Sequence, residues 1–397
     1  MTLKLLWVDF KSSAFAISAI AALIAVAVGF GLFVSLTERA LKEGGAKAAE
    51  RFDLIVGAAQ SQTQLTLSVV FLDRFALTPL KGAIYDEIAA NPLAEWAAPV
   101  AFGDYYKELP VIGTSAALIT DGGKRALIAG RMFENEREAV VGAKTRLAIG
   151  DRFTPVHGLA EQGGAGGHKG ISYRVTGVAE FGDSWDRAIM VPIESIWRVH
   201  GLARSFSSYP SAGAIDSTPP VSAVVVKPKT IGGAYELRAA YKKGETQAVF
   251  PAETLTKLYG ILGDISAALS KIAWAAQAIA GLIAAASAAF YIALKRRHIA
   301  VLRAFGADAR RIFLLIVFGM GCAAIAATAF GVVLGYAAAL FVSQAIASSQ
   351  GFDAIVCFES RDIAAVLAPF AVLFVALIVS CAFSFRYSAS YYLKRAF

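Results

Sequence analysis

From residue 312 to residue 352 the chain runs for 41 residues without an Asp, Glu, Lys or Arg, and from 15 to 37 it does so for 23. A helix rises about 1.5 Å per residue, so each run is long enough to cross the roughly 30 Å hydrocarbon core of a bilayer. Residues 272–294 form a third such run, closed by Lys295, Arg296, Arg297 and His298, and residues 363–385 a fourth. The 312–352 run exceeds one crossing, so it is read as a span over 312–342 followed by a neutral loop. A secretory signal is the rival reading of the first run, with Lys4 and Lys11 before it and Ala46-Lys47-Ala48 after it. An apolar region of that length exceeds the usual signal core of about 7 to 15 residues, which favours a retained span.

Composition agrees with lipid contact. Of 397 residues, 57% are hydrophobic and 17% charged, against about 25% charged in an ordinary soluble domain. The net charge of +8 is not spread evenly: residues 38–271 carry 26 Lys+Arg and 25 Asp+Glu, and the rest carry 12 and 5. The excess therefore hugs the apolar runs, which argues against a nucleic-acid-binding face on the polar region. The cysteines are Cys322, Cys357 and Cys381, and the polar region has none. Its fold must rest on its own core, without a disulfide framework.

Short flanks set the orientation, because basic residues are retained in the cytoplasm. Lys4 and Lys11, then Lys295 to Arg311, then Arg386, Lys394 and Arg395 mark three cytoplasmic segments. Asp353, Glu359 and Asp362 against Arg361 place the last loop outside, together with residues 38–271. The expected architecture is a membrane α-helical protein with four transmembrane helices, one plus three. Its segments are 1–37 with the first span, an extracytoplasmic α+β domain over 38–271, and three spans over 272–397. No span contains an internal charged residue, which disfavours an ion-coupled transporter with a polar midplane site. Gly331 and Gly335 form a small-xxx-small pair that suits close helix packing, although glycine is common in membrane helices generally.

Within 38–271 the pattern is mixed. Apolar stretches of strand length occupy 51–58, 65–71 and 96–102, and 79–90 has helical spacing. Short β-rich segments at 115–119, 126–129, 138–141, 173–178 and 188–191 point to a mainly β inserted subdomain over about 111–204. Strand, helix and strand follow at 221–226, 231–242 and 246–250. Residues 255–271 keep helical periodicity into the second span and read as a stalk, with 39–50 as its partner.

Residues 295–313 read KRRHIAVLRAFGADARRIF. This resembles the short cytoplasmic coupling helix of the MacB, LolC and FtsX permease family, with His298 and Ala300 standing where the family has Glu and Gly. The resemblance implies an ATPase-coupling role for Ile299, Val301, Leu302, Arg303, Ala304, Phe305, Gly306, Ala307 and Asp308. Physically, Ile299, Leu302 and Phe305 can share one helix face and Gly306 can end the helix. Residues 130–201, with GRMFENEREAVVGAKTRLAIGDRF and YRVTGVAEFGDSWDRAIMVPIESIWRVHG, are similar to the family's periplasmic core domain.

The family implies a permease subunit for export or extraction of a lipophilic, peptide or lipoprotein substrate. It further implies a cytoplasmic ATP-binding-cassette ATPase carrying ATP and Mg, a second permease copy as homodimer or heterodimer, surrounding membrane lipid, and a periplasmic or membrane-fusion partner. The FtsX branch offers an alternative, a transmembrane signalling scaffold regulating a cell-wall hydrolase.

Catalytic chemistry finds little support. Residues 163–170, GGAGGHKG, lack the Gly-Lys-Ser/Thr ending of a phosphate loop and read as a hairpin tip. His157, His168, His200 and His298 show no metal-ligand spacing, so no metal is expected from the sequence pattern. Asp183, Trp185 and Asp186 read as a turn and core anchor rather than a hydrolytic pair, and no catalytic residue or substrate-binding set is identifiable.

Overall fold

The computed structural model describes residues 14–157, 171–202, 218–304, 306–350 and 354–385. Two compact units result, a helical one formed by Met1–Leu41, Leu262–Gln344 and Ile355–Phe397, and a sheet unit formed by Lys42–Ile261 with Ala345–Ala354.

The chain begins with α1 (Ala14–Ala49), one continuous 36-residue helix. The first span and the segment expected to rise from it are thus a single element. The sheet unit follows with β1 (Leu54–Ala58), α2 (Gln62–Val70), α3 (Gly82–Ala89), β2 (Ala94–Tyr106), β3 (Leu109–Thr114) and α4 (Ala116–Thr120). Next come β4 (Ala129–Gly130), β5 (Glu138–Gly142), β6 (Arg152–Phe153), β7 (Val156–His157), β8 (Tyr173–Ala179), β9 (Ile189–Pro192) and α5 (Ile193–Val199). The unit continues through β10 (Ala223–Pro228), α6 (Ile231–Tyr241) and β11 (Thr246–Val249).

Among the described residues the strands form one mixed sheet in the order β11-β1-β10-β2-β3-β9-β5-β8-β4, with β6 beside β8 and β7 beside β2. The 13-residue β2 joins its two halves. Its first part pairs with β10 through Ala94 to Val100, and its last part takes β7 on the same edge at Asp104 and Tyr105. Only β3 with β9 and β5 with β8 run parallel. At the centre, Leu54, Ile55 and Val56 face Val226, Val225 and Val224. All six are buried, so these strands read as continuous apolar runs instead of alternating ones.

Two stretches expected as strands are helices. Residues 65–71 lie mostly in α2, because Ser61 caps the helix by accepting from the Gln64 amide at 3.3 Å. Leu65 and Val69, four residues apart, then fall on one buried face. A Cβ at Gly57 would come within 2.8 Å of Leu65 Cδ1, so a glycine on β1 lets α2 lie close to the sheet. Residues 115–119 lie mostly in α4, with Leu118 and Ile119 buried and Asp121 ending the helix at φ 50°. A five-residue apolar run has no period long enough to separate helix from strand. The segment 126–129 contributes only Ala129 to β4. Strand β3 and helix α5 arise where no element was expected. The glycine-rich 163–170 stretch lies outside the described residues.

The helical unit is completed by α7 (Pro251–Ala304), α8 (Ala309–Gln350) and α9 (Ser360–Phe385). Against the expected four spans, two helical segments among the described residues, 17–49 and 310–347, are long and apolar enough to cross a membrane, and 270–283 is a shorter apolar stretch. Helices α7 and α9 cover the other two expected spans by range. The expected loop after residue 342 is helical through Gln350. Ile20, Ile24 and Val28 of α1 pack with Met320, Ala324 and Ala327 of α8 as the core of this unit.

Candidate functional site

An ion-paired junction links the far parts of the helical unit. Arg39 Nη2 of α1 donates to Asp362 Oδ2 at 2.6 Å and to the Cys357 carbonyl at 2.6 Å, while Nη1 lies 3.4 Å from Glu359 Oε2. Ser35 Oγ donates to Asp362 Oδ1 at 2.7 Å, and the Glu359 amide donates to Asp362 Oδ2 at 2.8 Å. The Asp362 carboxylate is fully buried and sits in the first turn of α9, where it also meets the positive end of the helix dipole. A buried carboxylate is tolerated only with this many donors.

Small residues bring α1 and α8 close. A Cβ added to Gly335 would lie 2.5 Å from the Gly29 carbonyl oxygen, and one at Gly331 2.5 Å from that of Ala25. Both obstacles are backbone, which cannot swing aside. The buried Gln277 of α7 adds a polar link, donating from Nε2 to the Ala27 carbonyl at 3.2 Å. Gly335→Leu is therefore expected to part the two helices at a cost of about 1–3 kcal/mol. A lowered thermal midpoint of the detergent-solubilised full chain, with Leu334→Ala as the exposed control, checks this.

The segment expected as a short cytoplasmic coupling helix, 299–308, lies at the end of α7 and in the turn into α8. Helix α7 continues to Ala304, since Lys, Arg, Ala and Leu all favour helix and nothing before Gly306 breaks it. Gly306 then adopts φ 87°, a left-handed conformation suited to glycine at a helix C-terminus. Its amide donates to the Arg303 carbonyl at 3.0 Å. Asp308 starts α8, its Oδ1 accepting from the Arg310 amide at 3.3 Å. Ile299 is buried, Val301, Gly306, Ala307 and Asp308 are exposed, and Arg303 is half-buried. Phe305 and the side chains of Leu302 and Ala304 lie outside the description.

In the sheet unit, Asp183, Trp185 and Asp186 form a buried turn. Trp185 Nε1 donates to the Val69 carbonyl at 3.0 Å, and Asp183 accepts from the Trp185 amide at 2.8 Å and from Arg51 Nε at 2.9 Å. The Arg51 guanidinium lies over the rings of Phe52, Phe181 and Trp185 at 4.5, 4.5 and 5.0 Å. Burial pushes the Arg51 pKa down and Asp183 works against that shift. Asp186 accepts from the Phe181 and Gly182 amides at 2.6 and 3.1 Å. Both carboxylates thus hold the chain together.

The histidines depart from the sequence reading. His157 and His200 converge on Asp104, their ligating atoms lying within 4.8 Å of one another. Separations of 53 and 43 residues hid this grouping. His168 and the side chain of His298 lie outside the description.

Residues 271–395 match the FtsX-like permease C-terminal family. The resemblance to MacB, LolC and FtsX permeases read from the sequence is met there. Among solved structures, the periplasmic region of MacB from Actinobacillus actinomycetemcomitans is similar at 10% identity and TM-score 0.34, covering 53% of this chain and 94% of that one. The extracellular domain of the noncanonic ABC-type transporter YknZ from Gram-positive bacteria is similar at 14% identity and TM-score 0.30, covering 49% and 98%. No curated protein matches the chain by sequence.

Proposed function

We propose that the chain is the permease subunit of an ATP-binding-cassette transporter, passing the work of a partner ATPase to the sheet unit on the far side of the membrane. The observation that carries this reading is the FtsX-like permease match over residues 271–395. ATP and Mg belong to the partner, since no nucleotide-binding motif occurs in this chain. The coupling surface is the turn from Ile299 to Asp308, on the cytoplasmic side with both termini. Two copies of the permease, or one with a related subunit, flank the substrate path.

The Arg39–Asp362 junction supports the orientation. Arg39 follows the first expected span by two residues and Asp362 precedes the last by one, so their contact at 2.6 Å needs both span ends on one side of the membrane. That is the side assigned to the sheet unit by the basic flanks. Helix α7 runs unbroken from Pro251 at the sheet unit's last strand to Ala304 at the coupling turn. A conformational bias set by ATP at one end can therefore shift the equilibrium at the other.

The test replaces Arg303 and Phe305 together in the full-length chain. Loss of stimulation of the co-purifying ATPase, with the permease still folded in the membrane, is the expected result. Unchanged binding and stimulation would remove the coupling assignment. The second reading, a signalling scaffold controlling a cell-wall hydrolase, rests on the same FtsX-like match. It predicts an extracytoplasmic hydrolase among the co-purifying proteins and no transported ligand.

A further inference from the structure

Asp104, His157 and His200 come from three separate elements. Asp104 lies near the end of β2, beyond a bulge at which Ala101 pairs with Gly113 but Asp104 with Val111. Gly103 sits in that bulge at φ 141°, and bulges of this kind re-aim the side chains that follow. His157 is directly opposite Asp104 in the β2–β7 pairing. His200 follows the last turn of α5, where its own amide donates to the Ile196 carbonyl at 3.1 Å.

The atoms that meet are His157 Nδ1 and Asp104 Oδ1 at 3.2 Å, His200 Nε2 and His157 Nδ1 at 3.3 Å, and His200 Nε2 and Asp104 Oδ1 at 3.5 Å. For a tetrahedral ion bound at about 2.0–2.1 Å, neighbouring ligand atoms stand about 3.3–3.4 Å apart. The observed triangle has that size. Its chemistry also fits. His200 Nδ1 lies 2.9 Å from the Ile196 carbonyl, so Nδ1–H donates there and Nε2 carries the lone pair. A backbone acceptor behind one ring nitrogen is the usual way a protein fixes the tautomer of a metal-binding histidine. With His200 neutral, its Nε2 lone pair faces a carboxylate oxygen of Asp104, two acceptors that need a proton or a cation between them. A single cation satisfies all three side chains.

We propose that Asp104, His157 and His200 form a binding site for one divalent transition-metal ion of the zinc class. Two imidazoles and a carboxylate suit Zn2+ better than Mg2+ or Ca2+, which prefer all-oxygen shells. The Asp104 side chain is fully buried whereas that of His157 is 55% exposed. The ion ties the centre of the sheet at β2 to β7 and to the end of α5. This proposal stands apart from the transport reading, because it concerns the sheet unit alone.

The test uses the tag-free, full-length protein in detergent, stripped with chelator and titrated with Co2+ and then Zn2+. The expected result is one equivalent of Co2+ with the intense visible absorption of tetrahedral cobalt, bleached by one equivalent of Zn2+. His157→Ala and His200→Ala each weaken binding by more than about 100-fold, since loss of even an outer hydrogen-bond partner costs about 10–100-fold. His157→Ala loses the upward shift in thermal midpoint that Zn2+ gives the wild type. Weak octahedral cobalt absorption in the wild type, or equal Zn2+ affinity in wild type and both variants, overturns the proposal.

Discussion

Trp185→Ala lowers the stability of the sheet unit by about 3–5 kcal/mol, the range for emptying a buried aromatic site. Trp185 is completely buried and serves three purposes at once. It fills the space beside Phe52 at a ring distance of 6.1 Å, donates Nε1–H to the Val69 carbonyl at 3.0 Å, and forms part of the aromatic wall around Arg51. Truncation leaves a cavity, an unpaired carbonyl and a less sheltered guanidinium. The site cannot collapse easily, because α2 and the Asp183 turn are each held by their own hydrogen bonds. Trp185→Phe keeps most of the volume and loses the Nε1–H donor, so its cost is roughly 1–2 kcal/mol, near that of one buried hydrogen bond. Pulse proteolysis of the full-length protein across a urea series, reading cleavage within residues 42–261, measures both. Equal midpoints for Trp185→Ala and the wild type would contradict this packing.

Asp362→Ala costs the helical unit about 3 kcal/mol, the lower end of the range for stranding one member of a buried ion pair. The lower end applies because Arg39, at 14% side-chain exposure, keeps some contact with solvent and retains Glu359 at 3.4 Å. Three donated contacts disappear at once, from Ser35, from Arg39 and from the Glu359 amide onto the same carboxylate, together with the charge–dipole contact at the start of α9. Replacing both charged partners, Arg39→Met with Asp362→Leu, recovers much of the loss, since an apolar pair no longer has to be desolvated as ions. Thermal unfolding of the detergent-solubilised chain checks the order wild type, double variant, single variant. A single variant as stable as the wild type would remove the junction from any account of how the helical unit is held.

The ease with which parts of this structure are read from the chain follows from the range of the forces involved. Absence of charge over a long run is a local property, and it located α1, the start of α8 and the range of α9 directly. Gly306 was legible as a helix stop because a left-handed residue at a helix end is local chemistry too. Lys295 to Arg303 contain no breaker, so α7 continues through the start of the segment read as the coupling helix. In the sheet unit, the apolar runs at β1, β5, β8, β9, β10 and β11 were visible. Leu65 to Phe71 and Ser115 to Ile119 were misread as strands because a run of five to seven apolar residues has no period that decides between helix and strand. The cap that Ser61 places on α2 is what fixes the helix there.

By itself, the sequence determined that this chain is built to meet lipid, that its basic flanks surround the apolar runs, and that its C-terminal third resembles a permease. These follow from hydropathy, charge and short motifs, which neighbouring residues carry between them. Only the tertiary structure decided that Arg39 meets Asp362 across 323 residues, that Gly29 lies against Gly335, and that Asp104, His157 and His200 face one another. The physical reason is that a buried ion pair and a ligand triangle depend on distances of 2.6 to 3.5 Å, and the glycine contact on an approach that leaves no room for a Cβ. Such distances are set by strand register, a bulge and helix packing, and no spacing along the chain encodes them.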